Sequence, residues 1–155
     1  MIRDLIGEII EGVTEISVLL TRGHSHGLMS FILGNNIIFT GDAIPVAHDL
    51  PIFVDYEQSL YSLDKINELS DVQYFCPAWD EIYDKIRLKE VINDSKRMLH
   101  RLKDAVHQVE KEYKQYNEAE KLTMIFKQAD ILQYIGNPLV VKSIGACRKY
   151  LLQLE

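Results

Sequence analysis

The stretch 21–43, TRGHSHGLMSFILGNNIIFTGDA, constrains this chain more than any other. Two apolar runs, 28–33 and 37–40, flank Gly34-Asn35-Asn36, whose residue types tolerate positive φ. The pattern predicts a β-hairpin. A histidine-bearing loop, 23–27, enters the first strand. Gly41-Asp42-Ala43 leaves the second, with Gly41 freeing the backbone to break from the sheet. A hairpin sets its two outer ends side by side, so His24 and Asp42 fall at neighbouring strand mouths. Imidazole and carboxylate are ligand types that zinc accepts in catalytic sites. A carboxylate so placed can bridge two ions about 3.5–4 Å apart.

Upstream, 5–10 and 14–21 are rich in Ile, Val and Leu and predict two strands around the turn at Glu11-Gly12. In the second, Ile16, Val18 and Leu20 share one face, with Glu15, Ser17 and Leu19 on the other. Downstream, Pro45 and Pro51 punctuate a loop, and Asp55 with Gln58 forms the pattern of a capping box. The helix it opens extends to about residue 69, with Leu60, Leu63, Ile66 and Leu69 on one side. A short β-like run, 72–75, ends in the loop Cys76-Pro77-Ala78-Trp79.

From about residue 81 the pattern becomes helical. Leu88, Val91, Ser95, Met98, Leu102, Ala105 and Val109 follow an alternating three–four step. A helix over 88–116 would be about 43 Å long. Its stripe has two uses: packing along its own domain, or pairing with a second copy across a dimer. Asn117-Glu118 breaks the pattern. A further helix is expected to reach 134 or 135, stopped by Gly136. Asn137-Pro138 then begins a last helix carrying Val140, Val141, Ile144, Cys147, Leu151 and Leu152.

With 155 residues the simplest organisation is one domain over 1–155, its β-rich part (1–80) packed with its helical part (81–155). The net charge of −6 argues against a nucleic-acid surface, which needs clustered Lys and Arg. No apolar run has the length of a membrane span, and Arg3, Asp4 and Glu8 interrupt any signal-peptide core. Two cysteines are too few for a disulfide framework. The expectation is a soluble, cytoplasmic protein with no membrane or nucleic-acid partner.

Gly23-His24-Ser25-x-Gly27, followed across a hairpin by Thr40-Gly41-Asp42, resembles two successive metal motifs of the metallo-β-lactamase superfamily. The segment 50–69 is similar to the helix that succeeds the aspartate in superfamily hydrolases. The resemblance implies an α+β fold, half of a metallo-β-lactamase-type αββα sandwich, here with a long helical C-terminal tail. It implies that His24 ligates one zinc ion and Asp42 bridges two. Two departures stand beside it. The superfamily's His-x-His-x-Asp-His motif is absent, since no His precedes His24. The final ligand of the superfamily, a His in a Pro-(Ser/Ala/Gly)-His loop, is replaced by Trp79, whose indole N–H donates but does not ligate.

The expectation for function is the C-terminal part of a metal-dependent hydrolase whose zinc site is incomplete in this chain. The alternative is a non-catalytic oligomeric scaffold derived from that fold. One half of the sandwich exposes its inner sheet face, which implies a homodimer or a missing N-terminal half as partner. His48 in the loop after Asp42, and Trp79, are the candidate substrate-binding residues; a solvated loop and an apolar anchor are the competing readings. His26 is expected in a turn or in solvent, Cys76 as an inert thiol, and His100 and His107 on a solvated helix edge.

Overall fold

The computed structural model describes residues 5–8 (backbone), 15–34, 36–46 and 50–154. Five strands form one sheet in chain order: β1 (Leu5–Glu8), β2 (Ile16–Leu20), β3 (Met29–Leu33), β4 (Ile37–Gly41) and β5 (Tyr74–Pro77). The first four pair antiparallel. β5 lies parallel to β4, as a strand reached through a crossover helix must. That crossover is α1 (Tyr56–Asn67). The helical part comprises α2 (Lys85–Glu112), α3 (Glu118–Gln128), a 3-10 turn at Leu132–Tyr134, and α4 (Pro138–Leu152).

Alternation along the strands divides the sheet into two unlike faces. On one, Leu19, Ile32, Ile38 and Phe75 are buried, in one hydrophobic cluster with Leu63 and Ile66 of α1 and Leu88, Val91 and Ile92 of α2. In β2 the side of Ser17 and Leu19 is therefore the core side, although Ile16, Val18 and Leu20 form the more apolar set. On the other face Val18, Phe31 and Phe39 stand in register across three strands. Phe31 and Phe39 are 45% and 48% exposed, and Met29 and Tyr74 extend the patch at 41% and 47%. Both faces of this sheet are apolar, and helices cover one of them. That is how a sheet from the middle of a sandwich is built.

α1 begins where expected: Asp55 caps it, accepting from the Gln58 N–H at 3.0 Å. Its buried side is more polar than the leucine spacing suggested. Ser59, Ser62 and Lys65 are buried beside Leu63 and Ile66, whereas Leu60 and Leu69 are half-buried. The Lys65 ammonium donates to the Leu20 carbonyl at 2.8 Å and the Ser62 hydroxyl to the Arg22 carbonyl at 2.6 Å. These bonds satisfy backbone oxygens where β2 leaves the sheet.

The long helix spends its stripe inside the chain. Leu88, Val91, Ser95, Met98, Leu102, Ala105 and Val109 are all buried, and α2 packs against α1, α3 and α4. Of its two uses, packing within the chain is the one realised. α3 ends at Gln128, six or seven residues before the expected end at 134 or 135. The cause is Asp130, which takes the left-handed conformation (φ 58°). The Ile131 N–H then reaches back to the Phe126 carbonyl and the Asp130 N–H to that of Lys127, a Schellman closure. Gly136 (φ 79°) belongs to the next turn, ahead of α4, which Asn137 caps.

Arg148 of α4 joins Glu110 of α2 and Glu118 of α3, at 2.7 Å to each, and Lys121 bonds Glu110 at 2.8 Å. Burial opposes the charge on Glu110, but its bonds to Lys121 and Arg148 outweigh it and hold the carboxyl below the usual range. A depressed carboxylate stabilises the fold at neutral pH, and that contribution is lost as acid protonates it.

Asp130 is a non-glycine residue at a C′ position, so Asp130→Gly removes the steric cost of the left-handed conformation. The variant is expected to be more stable by roughly 0.5–1 kcal/mol in urea denaturation.

Candidate metal centre

A chain of buried hydroxyls ties the two key loops together. Thr21, at the exit of β2, bonds Ser30 of β3 at 2.9 Å through their hydroxyls. Ser30 donates to the Thr40 carbonyl, and Thr40 to the Cys76 carbonyl, both at 3.4 Å. Thr21, Ser30 and Thr40 are fully buried. They link the strand ends that carry the histidine loop, the aspartate loop and the 76–79 loop.

Gly23 lets the histidine loop turn back against α1. Its φ is 138°, and a Cβ there would lie 2.6 Å from Ser59 Cα and 2.7 Å from Ser59 N. No side chain fits. The Gly23 carbonyl accepts from the Val54 and Asp55 N–H groups at 2.8 and 3.2 Å, so the loop is anchored at the α1 N-terminus.

His24 is oriented by a single bond. Its Nδ1 lies 3.2 Å from the Ile52 carbonyl. A carbonyl only accepts, so Nδ1 carries a proton, and in the Nδ1–H tautomer Nε2 presents its lone pair. Nε2 faces Asp42 Oδ2 at 3.9 Å. Two acceptors facing each other across that gap form half of a cation cradle, and the backbone bond behind the ring is the support that ligating histidines use. The segment that presents Ile52 is pinned from α4: the Phe53 N–H donates to the Ser143 hydroxyl at 2.8 Å, and that hydroxyl donates to the Phe53 carbonyl at 3.1 Å.

Trp79 is not a core residue of this chain. It is 78% exposed, and its indole N–H donates to Asp42 Oδ1 at 2.7 Å. The Ala78 N–H bonds the Gly41 carbonyl at 3.1 Å and ties the 76–79 loop to the aspartate loop. His24, Asp42 and Trp79 open onto a cavity of about 400 Å³ walled by Ile44, Pro45, Leu50 and Ile52.

The structure thus brings His24, Asp42 and Trp79 together. His48 lies outside the described residues. His26 is exposed. Cys76 is half-buried, and burial pushes its thiol up. His107 is exposed, but His100 is more than a solvated edge: its Nδ1 pairs with the Tyr56 hydroxyl at 2.6 Å. Among the described residues no three His, Cys, Asp or Glu side chains gather into a metal-holding group. The donors present fit part of a metal site. Sequence reasoning missed Ile52 and Ser143; the one signal for Ser143 was a polar residue within the apolar face of α4.

Gly23→Ala is expected to cost roughly 2–3 kcal/mol in urea denaturation, since the new methyl must displace α1 backbone from a conformation alanine disfavours. Ser143→Ala leaves the Phe53 N–H unpartnered and is expected to cost about 1–3 kcal/mol by the same measurement.

No protein-family model and no curated protein matches the sequence. Solved structures do. A metallo-beta-lactamase family protein from Thermus thermophilus superposes with a TM-score of 0.70 at 18% identity, over 98% of this chain and 48% of that one. An archaeal metallo-beta-lactamase superfamily protein from Sulfolobus tokodaii superposes with a TM-score of 0.50 at 19% identity, over 94% of this chain and 50% of that one. The chain spans about half the length of the structures it matches. With the His24 and Asp42 loops at the sheet end and one sheet face uncovered, the chain has the fold of half a metallo-β-lactamase sandwich, extended by a helical tail.

Proposed function

We propose that this chain is the C-terminal part of a metal-dependent hydrolase, and that His24 and Asp42 are its share of the metal ligands. The observation that carries the reading is the facing pair itself: His24 Nε2 and Asp42 Oδ2 at 3.9 Å, each held from behind, by the Ile52 carbonyl and the Trp79 indole. Zinc held at three protein donors leaves a position for water, so two donors call for more from outside this chain. When bound, zinc supplies a Lewis acid and a water that ionises near neutral pH, chemistry suited to esters, thioesters, amides or phosphoesters.

This chain's own residues bind and shape. His24 and Asp42 hold the cation side of the cavity. Ile44, Pro45, Leu50 and Ile52 give it an apolar wall that limits water around a bound substrate. The uncovered sheet face of Val18, Met29, Phe31, Phe39 and Tyr74 would receive the complementary sheet that brings the remaining ligands.

The second reading is a scaffold that keeps the fold without the chemistry. Trp79 at the place of the final histidine favours it, as does the lack of a third donor among the described residues. One experiment separates the two. The chain is co-expressed with the polypeptide encoded immediately upstream of Met1, and the purified assembly is assayed with zinc on ester, thioester and phosphoester substrates. The hydrolase reading expects activity that falls by about 100-fold or more in Asp42→Ala while the assembly persists. An assembly with no activity, or with activity indifferent to Asp42→Ala, supports the scaffold.

A further inference from the structure

The helical tail carries a cavity of its own, about 500 Å³ in volume, where the last turns of α2 and α4 meet. Leu151 and Leu152 line it from α4, and Lys111 and Lys114 from the end of α2 and the turn that follows. We propose that this cavity binds one amphipathic carboxylate, with its headgroup between the Lys111 and Lys114 ammonium groups and its aliphatic body on Leu151 and Leu152. The proposal is independent of the hydrolase reading, since the cavity shares no residue with the one at His24 and Asp42.

Charge selects the headgroup. Glu110 and Arg148 also line the cavity, but they offset each other. Arg148 bonds Glu110 and Glu118 at 2.7 Å each, and Lys121 bonds Glu110 at 2.8 Å. Two carboxylates meet two cations, so this network gives the cavity a rigid wall and little net charge. Glu112, next to Lys111 in sequence, accepts from Gln108 Nε2 at 3.2 Å and is not among the lining residues. The C-terminal end of α2 opposes an anion with roughly half an elementary charge. Two ammonium groups outweigh it, so the described residues make the mouth cationic on a chain whose net charge is −6. A surplus between one and two charges matches a monoanion. His107, four residues before Lys111 and on the same face of α2, adds an imidazole to the rim.

The leucines select the body. Leu151 packs against the core, and Leu152 beside it is 71% exposed. Covering apolar surface is favourable roughly in proportion to its area, so an aliphatic chain gains where a bare anion does not. The volume lies within the range of about 300–1,000 Å³ usual for small-molecule sites. Lysine meets a carboxylate as a point charge on a flexible stem, without the fixed fork of arginine. The site therefore discriminates by the sign of the headgroup and the length of the tail, and little by headgroup shape.

Calorimetric titration of the full 155-residue chain tests this with decanoate, hexanoate and decyltrimethylammonium, each below its micelle concentration. A Lys111→Gln/Lys114→Gln double variant and a Leu152→Ser variant are titrated in parallel. All three positions are exposed, and circular dichroism checks that the fold is intact. The proposal expects one decanoate per chain, hexanoate weaker by about tenfold or more for its shorter tail, and no saturable binding of the cationic amphiphile. It expects the double variant to bind decanoate about fivefold more weakly, a difference that shrinks in about 1 M salt. Leu152→Ser is expected to weaken decanoate severalfold at either salt concentration. Decanoate binding indifferent to either variant would place the ligand elsewhere, as on the open sheet face, and overturn the proposal. Equal affinity for decanoate and decyltrimethylammonium, more than one decanoate per chain, or no saturable decanoate binding would each overturn it as well.

Discussion

The buried hydroxyl chain Thr21–Ser30–Thr40 is the constraint on which the site depends. Three polar side chains with no exposed surface sit at the sheet end from which both the histidine and the aspartate loops emerge. Buried hydroxyls are costly unless paired, and these pair with one another and with the carbonyls of neighbouring strands. Strand ends that would otherwise fray are held in one register. That register fixes the separation of two loops whose glycines would allow many conformations.

Behind this line, support comes from far along the chain. The Ile52 carbonyl orients the His24 ring, and the Phe53 backbone next to it is gripped by Ser143, ninety residues later. The helical tail is thus part of the site's mechanical frame. Its own integrity rests on the buried stripe of α2 and on the Arg148–Glu110–Glu118 network that joins three helices. At the opposite side of the sheet the aromatic row of Phe31 and Phe39 has no such cover among the described residues. It is the surface on which the proposed complementary sheet would be seated.

Much of the β-rich part could be read before any coordinates. The hairpin follows from Gly34 and two apolar runs, the loop exit from Gly41, and the α1 start from Asp55. The α2 stripe followed from its three–four spacing, although spacing alone left its partner open. The end of α3 was not legible, because Asp130 takes a left-handed conformation that glycine at 136 advertised more loudly. The role of Trp79 was half legible: its place in the Cys76-Pro77-Ala78 loop put it near Asp42, but a lone indole gives no sign of which way its N–H points. The polar side of α1 was hidden for the same reason. Ser59, Ser62 and Lys65 look like solvent residues until the carbonyls of a departing strand and a side-chain-free glycine lie against them.

The sequence by itself determined the elements and the donor types: a hairpin that sets His24 beside Asp42, strands apolar on both sides, and helices begun by Asp55, Asn117 and Asn137. These are properties of local spacing and side-chain chemistry, which the chain carries before it folds. Only the tertiary structure decided how those donors are aimed: Nε2 toward Oδ2, Nδ1 toward Ile52, the indole toward Oδ1. It also decided which sheet face the helices cover. Direction and cover depend on contacts between segments tens of residues apart, and no short-range pattern in the chain encodes them.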